Sequence, residues 1–442
     1  MKQRGKFSSK LAFIISSMGA AVGLGIIWMF PSRLCQYGGA TFLIPYFLFV
    51  FLLGYPGLML EFTFGRSSKS GTLLGIKNAF KEKNVKHGNI WGNILGAIPT
   101  IGVLGMFSFY SVILGWIIQY LFLSVSQNLT KINPTEYFSN FTGSVSSALV
   151  TIIAILVAAL VVSLGINNGI EKLNKIAIPT MFILFVILII RSVTLPGAIE
   201  GIKYMCIPRW EVLLNVETWI MAMGLAFFSV SLSGCVMVVY GSYTDSSTDI
   251  PKSALTIVFF NTVVGAMLAS FAIIPSVFAF NIDLCSGPAL LFVSLPSIFA
   301  SMPFGSILSV LFFTCVFFAA LTTSISMLEG PVEALLSITK LKRKKATLIS
   351  LTLSLIIAIP LSLNMNLFSK FVDLITIVIA PLSVLIVAVV FFWRYKNNEP
   401  LDQINLGCKR PLGKSFIFIG KYIFIPFTFL IIILGIIYGG IG

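Results

Sequence analysis

The chain has 442 residues, 57% hydrophobic and only 10% charged, with a mean hydropathy of +1.00 and a formal net charge of +15. This balance excludes a soluble globular domain and describes a polytopic membrane protein. The basic excess raises nucleic acid as a partner, and the placement of the charges along the chain argues against it.

Apolar spans are predicted near 11–34, 40–64, 91–124, 145–164, 174–194, 217–242, 253–280, 304–337, 346–364, 371–394 and 415–438, eleven helices each long enough for a bilayer. With the N-terminus inside, 24 of the 30 lysines and arginines fall in inner segments, among them Lys2, Arg4, Lys6, Lys10, Arg66, Lys69 and the run Lys342–Lys345. Only Arg33, Lys131, Arg191, Lys203, Arg209 and Lys370 fall outside. The split follows the positive-inside rule, so the charge is a topology signal. No cleavable signal pattern is read, because the first apolar segment is too long and no small-residue cleavage site follows it. The six cysteines show no paired spacing, so neither a disulfide framework nor a metal cluster is expected. The single histidine, His87, reads as a solvated inner-loop residue.

The first span carries the strongest signal, Gly19-Ala20-Ala21-Val22-Gly23-Leu24-Gly25-Ile26-Ile27-Trp28-Met29-Phe30-Pro31. Each glycine costs a helix interior about 1 kcal/mol and proline more. An anchor has no use for them, whereas a backbone that unwinds at mid-membrane depth around an ion or solute does. The inner loop near 66–90 suggests a surface helix, and the outer loop near 281–303, with Pro288, Pro296 and Pro303, a short helical lid. The sixth span repeats the first signal in Ala226-Phe227-Phe228-Ser229-Val230-Ser231-Leu232-Ser233-Gly234-Cys235. Small residues that merely allow close helix packing explain one such span. Two at corresponding positions favour a pair of inverted repeats with a binding site at their junction.

These residues, with Tyr37-Gly38-Gly39-Ala40-Thr41-Phe42-Leu43-Ile44-Pro45-Tyr46, Glu61-Phe62-Thr63-Phe64-Gly65-Arg66, Gly169-Ile170-Glu171-Lys172 with Pro179, and Ala319-Ala320-Leu321-Thr322-Thr323-Ser324-Ile325-Ser326, resemble the bacterial neurotransmitter:sodium symporters along essentially the whole chain. The resemblance implies an all-α polytopic membrane protein with a five-plus-five inverted repeat, 1–200 and 210–397, broken at helices 1 and 6, and an eleventh helix at 414–439. It implies a second sodium site at Gly19, Val22, Ala319, Thr322 and Thr323. Independently, a hard cation at membrane depth needs several oxygens, and adjacent threonines offer two; on their own, hydroxyls bonded back to the helix explain them equally. The first sodium site of the family matches Ala21, Ile26, Ser229 and Asn261. Ile26 stands where the family places an asparagine ligand, so this site is expected to be degraded.

At the outer gate Met29 replaces the family's arginine, while the opposing acid remains as Asp373, left to face a wet vestibule, pair with Lys370 or carry a proton. Tyr110 and Phe228 match the aromatic pair that closes over the solute. The amides of Ala21–Gly25 suit a carboxylate, with Gly23 where amine carriers place an aspartate. The side-chain subsite is expected at Met106, Phe228, Ser231, Gly234, Thr323, Ser324 and Met327. Gly234 suggests room for a large apolar or aromatic amino acid; plain core packing explains Met106 and Met327 equally. Arg4 and Tyr243 match the inner gate, whose usual acid is Ser337 here, with Glu333 one turn away as a substitute. Glu61 and Glu329 read as hydrogen-bonded core residues, with protonation coupling left open.

The expected function is sodium-coupled amino-acid symport across a prokaryotic inner membrane by alternating access. The expected partners are an amino acid, the sodium ion and the lipid bilayer, not nucleic acid, with the chain a monomer or weak homodimer. A sodium-independent or proton-coupled carrier or exchanger on the same fold is the alternative, and a non-transporting sensor a further one. No enzyme is expected, since no histidine lies within a span and no HExxH occurs.

Overall fold

The structure is a computed structural model that describes residues 5–81, 87–232, 234–282, 287–394 and 398–441. Among these, nine helices are long and apolar enough to cross a membrane. Together with two broken spans they give eleven transmembrane elements, α1 to α11.

The first element, α1, is a bent pair, Lys10–Ala21 and Gly25–Gln36, with 56° between the halves. The unbroken spans α2 to α5 are Gly39–Ser68, Gly88–Val125, Val145–Ser163 and Ile166–Val193. The sixth, α6, has a first half Val216–Ser229 and a short second half Val236–Gly241. The remaining spans α7 to α11 are Ile250–Ala279, Gly305–Ile338, Arg343–Leu363, Met365–Trp393 and Ser415–Tyr438. The expected continuous 217–242 span is therefore two helices, because Ser231, Gly234 and Cys235 hold left-handed φ of 61°, 77° and 62°. A helix of L-residues does not continue through that region.

Helix starts follow local chemistry. Ser144 caps α4 by accepting from Ser147 N–H, Asp249 caps α7 by accepting from Lys252 N–H, and Asn364 caps α10 by accepting from Leu367 N–H. The inner loop carries the expected helix, Thr72–Lys81, packed against α3. The outer loop carries a short helical segment over Leu290–Ser301.

Burial sorts the spans into layers. In the most apolar window of α3, 83% of residues are buried, against 22% in α11, so α3 is interior and α11 faces lipid. On α4 and α5 the outward leucines and isoleucines, such as Leu156, Leu160, Ile183 and Ile190, are exposed, as a lipid-facing surface requires. Inside, α3 packs along α8, and the first half of α1 packs on α8 and α5. Both breaks thus lie in the middle of the bundle, the one place where irregular backbone at membrane depth is tolerated.

Candidate functional site

The break in α1 frees specific carbonyls. Gly23 N–H turns back to Ala21 O at 2.9 Å and so does not reach Gly19 O. Side chains from other elements answer instead: Thr323 Oγ1 donates to Gly19 O at 3.2 Å, and Ser231 Oγ donates to Ala20 O at 2.9 Å. One break is therefore held by α8 and by the break of α6. At Gly23 a Cβ would stand 2.9 Å from Thr323 Oγ1 and 3.3 Å from Tyr110 Oη, so the backbone approaches both hydroxyls only because no side chain intervenes.

Around this junction lies a cavity of about 510 Å³, within the range of sites for small molecules. It collects most of the expected subsite: Ala21, Gly23, Gly25, Met106, Tyr110, Phe228, Ser231, Thr323 and Met327 all line it. Its walls are mainly apolar, with hydroxyls and the unwound backbone of α1 near the break. Leu24 N–H donates to Tyr110 Oη at 3.4 Å, and the Thr323 hydroxyl is a second neighbour of the same phenol. Two expected residues stand elsewhere. Ser324 is fully buried outside the cavity wall. At Gly234 a Cβ would stand 2.8 Å from Val103 Cγ2 and 2.9 Å from Met106 Sδ, so neighbouring side chains take up the room expected there.

Gly19, Val22, Ala319, Thr322 and Thr323 are all buried, with α1 pressed on α8. Thr322 Oγ1 bonds back to Phe318 O at 2.9 Å and to Ala319 O at 3.1 Å. Its Cβ would be 3.2 Å from a Cβ on Gly19. The donor set of carbonyls and hydroxyls suits a hard monovalent cation.

The matching first-site positions are arranged differently. Asn261 Nδ2 donates to Ser229 O at 2.5 Å, and Tyr46 Oη donates to Ser229 Oγ at 3.0 Å. Ile26 is buried and packs near Gly265 of α7, where a Cβ would meet Ile26 Cγ2 at 3.7 Å. An aliphatic side chain thus stands at the position where the resemblance implies an oxygen ligand.

The cavity extends past Met29 to Asp373, which is exposed and, among the described residues, forms no ion pair with Lys370. Of the three possibilities for Asp373, the geometry matches a wet vestibule. At the opposite end of the bundle, the described residues form a polar and aromatic cluster around Tyr243. Tyr243 Oη donates to Glu329 Oε1 at 2.6 Å, Arg343 Nη2 donates to Glu329 Oε2, and Arg343 Nε donates to Val162 O at 2.8 Å. Phe7 stacks edge-on against Tyr240 and Tyr243 at 5.6 and 6.2 Å. Glu333 accepts from Gly71 N–H at 2.8 Å, and Ser337 bonds to Ala334 O in its own helix. The expected inner-gate residue Arg4 lies outside the described residues. Glu61, fully buried, accepts from Met237 N–H at 3.2 Å through Oε2, while its Oε1 has no partner among the described residues.

Sequence reasoning did not single out Asn174, Tyr46, Arg343 or Ile441. Asn174 Nδ2 donates to Ile170 O at 2.7 Å, while its fully buried Oδ1 has no partner among the described residues and would lie 1.8 Å from a Cβ on Gly19. Asn174 stands between Lys172 and Lys175 at the charged end of its span, so local sequence does not set it apart. Among the described residues no group of three or more His, Cys, Asp or Glu side chains forms a metal site.

The profile of the sodium:neurotransmitter symporter family matches residues 4–140 and 139–438. The sequence is 34% identical to the uncharacterized sodium-dependent transporter YhdH of Bacillus subtilis, over 98% of this chain and 97% of that protein. It is 30% identical to the uncharacterized sodium-dependent transporter MJ1319 of Methanocaldococcus jannaschii, over 93% and 86%. The crystal structure of MhsT in complex with L-phenylalanine superposes with a TM-score of 0.86 at 30% identity, over 98% of this chain and 99% of that one.

Proposed function

Because the chain belongs to the sodium:neurotransmitter symporter family, a family of transporters and not of enzymes, we propose that it imports a large apolar or aromatic amino acid with sodium across a prokaryotic inner membrane. The N-terminus is cytoplasmic in this reading, from the distribution of lysine and arginine. The proposed repeats are 1–200 and 210–397, with 414–439 as the added helix.

The single observation that carries the reading is the meeting of the two breaks: Ser231 of α6 and Thr323 of α8 bond to adjacent freed carbonyls of α1 beside an apolar cavity. A carboxylate there meets the amide end of the second half of α1, whose partial positive charge favours an anion. The phenol of Tyr110, beside Thr323, can turn its proton to the same carboxylate. Met106, Phe228 and Met327 then face the side chain of the solute, and the apolar lining selects for its size. The phenylalanine held by MhsT is consistent with that class.

The cation is proposed to occupy the site of Gly19, Val22, Ala319, Thr322 and Thr323. Thr323 directs its proton at Gly19 O. To coordinate a cation the hydroxyl turns that proton away and presents its lone pairs, so arrival of sodium replaces a direct α1–α8 bond by a shared ion. Sodium thereby fixes the first half of α1 against α8 while the solute fixes the second half against α3 and α6. Residual first-site residues Ala21, Ser229 and Asn261 lack the oxygen that Ile26 does not supply.

Thermal unfolding of the purified protein against the twenty amino acids, in sodium and in choline, tests the reading, because a ligand of the folded state raises Tm by mass action. A large apolar or aromatic amino acid is expected to stabilise in sodium and much less in choline. Stabilisation by amino acids without any dependence on sodium would replace symport by a sodium-independent carrier.

A further inference from the structure

The chain does not leave the protein where α11 ends. Gly439 and Gly440 take φ of 66° and 112°, a region open to glycine and strained for other residues. Gly440 N–H donates to Gly435 O at 2.8 Å and closes the helix. The turn sends the backbone inward, and Ile441 is only 2% exposed, on the wall of the same cavity that reaches Met29 and Asp373. Its seat depends on a further glycine. A Cβ on Gly224, in the first half of α6, would stand 2.0 Å from Ile441 O and 2.7 Å from Ile441 Cγ1. On the other side, Ile377 of α10 would meet a Cβ on Gly435 at 3.0 Å and one on Gly440 at 3.8 Å. The tail thus bridges α6 and α10 across the outer end of the cavity, where Met29 offers Asp373 no ionic partner.

We propose that Gly439-Gly440-Ile441 is part of the outer gate: the Ile441 side chain, seated on Gly224, narrows the vestibule and sets how readily it is reached from outside. The physical reason is that the two elements it bridges carry opposite walls of the vestibule. An aliphatic wedge held by backbone contact resists their separation, and the glycine pair gives it a hinge. Closure by packing then takes the place of an ion pair. The inference rests on reading the cavity as the solute path.

The test uses the full chain in sealed membranes, with Cys35, Cys206 and Cys285 replaced by serine and Val372→Cys as a reporter on the vestibule wall. The rate of labelling by a membrane-impermeant thiol reagent is measured without solute. Removal of residues 439–442, Ile441→Gly and Gly224→Ala, which pushes the tail off its seat, are each expected to speed labelling several-fold. If removal of the tail prevents folding, the two point variants carry the test. Labelling at the parent rate in both Ile441→Gly and Gly224→Ala overturns the proposal. No amino acid is present in this assay, so a failure of the amino-acid reading leaves its result standing, and a failure here leaves that reading intact.

Discussion

At the scale of single residues, the site is set by where a side chain is missing. Gly19 was legible from sequence as one of three glycines crowding an apolar span. Its reason was not, because the group it makes room for comes from α5, some 150 residues away in the chain. The fully buried Asn174 Oδ1 lies where a Gly19 Cβ would go, at 1.8 Å. Gly19→Ala is therefore expected to lower stability by about 1–3 kcal/mol, as overpacking does. Asn174→Ala removes the obstructing oxygen, so the double variant is expected to recover part of the loss. The two effects couple because the atoms touch. Thermal unfolding of the two single variants and the pair checks this; a double variant whose Tm loss equals the sum of the two single losses would contradict it. The same oxygen flanks the proposed cation site, so Asn174→Ala is also expected to raise the sodium concentration that gives half-maximal stabilisation.

At the scale of elements, the breaks in α1 and α6 were readable because glycine, proline and hydroxyl residues at mid-span violate what a simple apolar helix needs. The inner closure was not readable in the same way. The acid of α8 was sought at Ser337 by resemblance, with Glu333 one turn away as a substitute; the structure adds Glu329, held by Arg343 from the start of α9 and by Tyr243 beyond the second half of α6. Nothing in local sequence pairs these groups; the packing of four elements does, since Arg343 also binds Val162 O of α4. The burial of the partners is unequal: the Glu329 side chain is 0% exposed and that of Arg343 22%. Removing the arginine strands a buried carboxylate, which costs roughly 3–5 kcal/mol, while removing the acid leaves a guanidinium that reaches water. Arg343→Met is thus expected to lower Tm more than Glu329→Met, and the double variant to be more stable than Arg343→Met alone. Equal losses in the two single variants would mean that the pair is not buried as described.

At the scale of the whole molecule, the balance of sites fixes the driving force. One positive charge moved across ~100 mV contributes ~2.3 kcal/mol, or on the order of fifty-fold accumulation. A second ion adds a similar electrical contribution. The proposed site at Thr322 and Thr323 brings two hydroxyls to the carbonyls of α1 and α8, whereas at the other Ile26 packs against α7 and Asn261 Nδ2 is committed to Ser229 O. Asn261 Oδ1, buried without a partner among the described residues, is the remnant that a restored ligand would join. The chain is therefore expected to couple near one sodium per solute, with a Hill coefficient near one for sodium-dependent uptake into proteoliposomes. Ile26→Asn returns an oxygen to the depleted side and is expected to move that coefficient toward two and to raise accumulation under the same gradients. Its cost is a polar group in an apolar contact, visible as a lower Tm in choline that sodium partly restores. A parent protein with a coefficient near two would show that Ser229 and Asn261 hold a second ion without help from position 26, and the coupling argument built on Ile26 would fail with it.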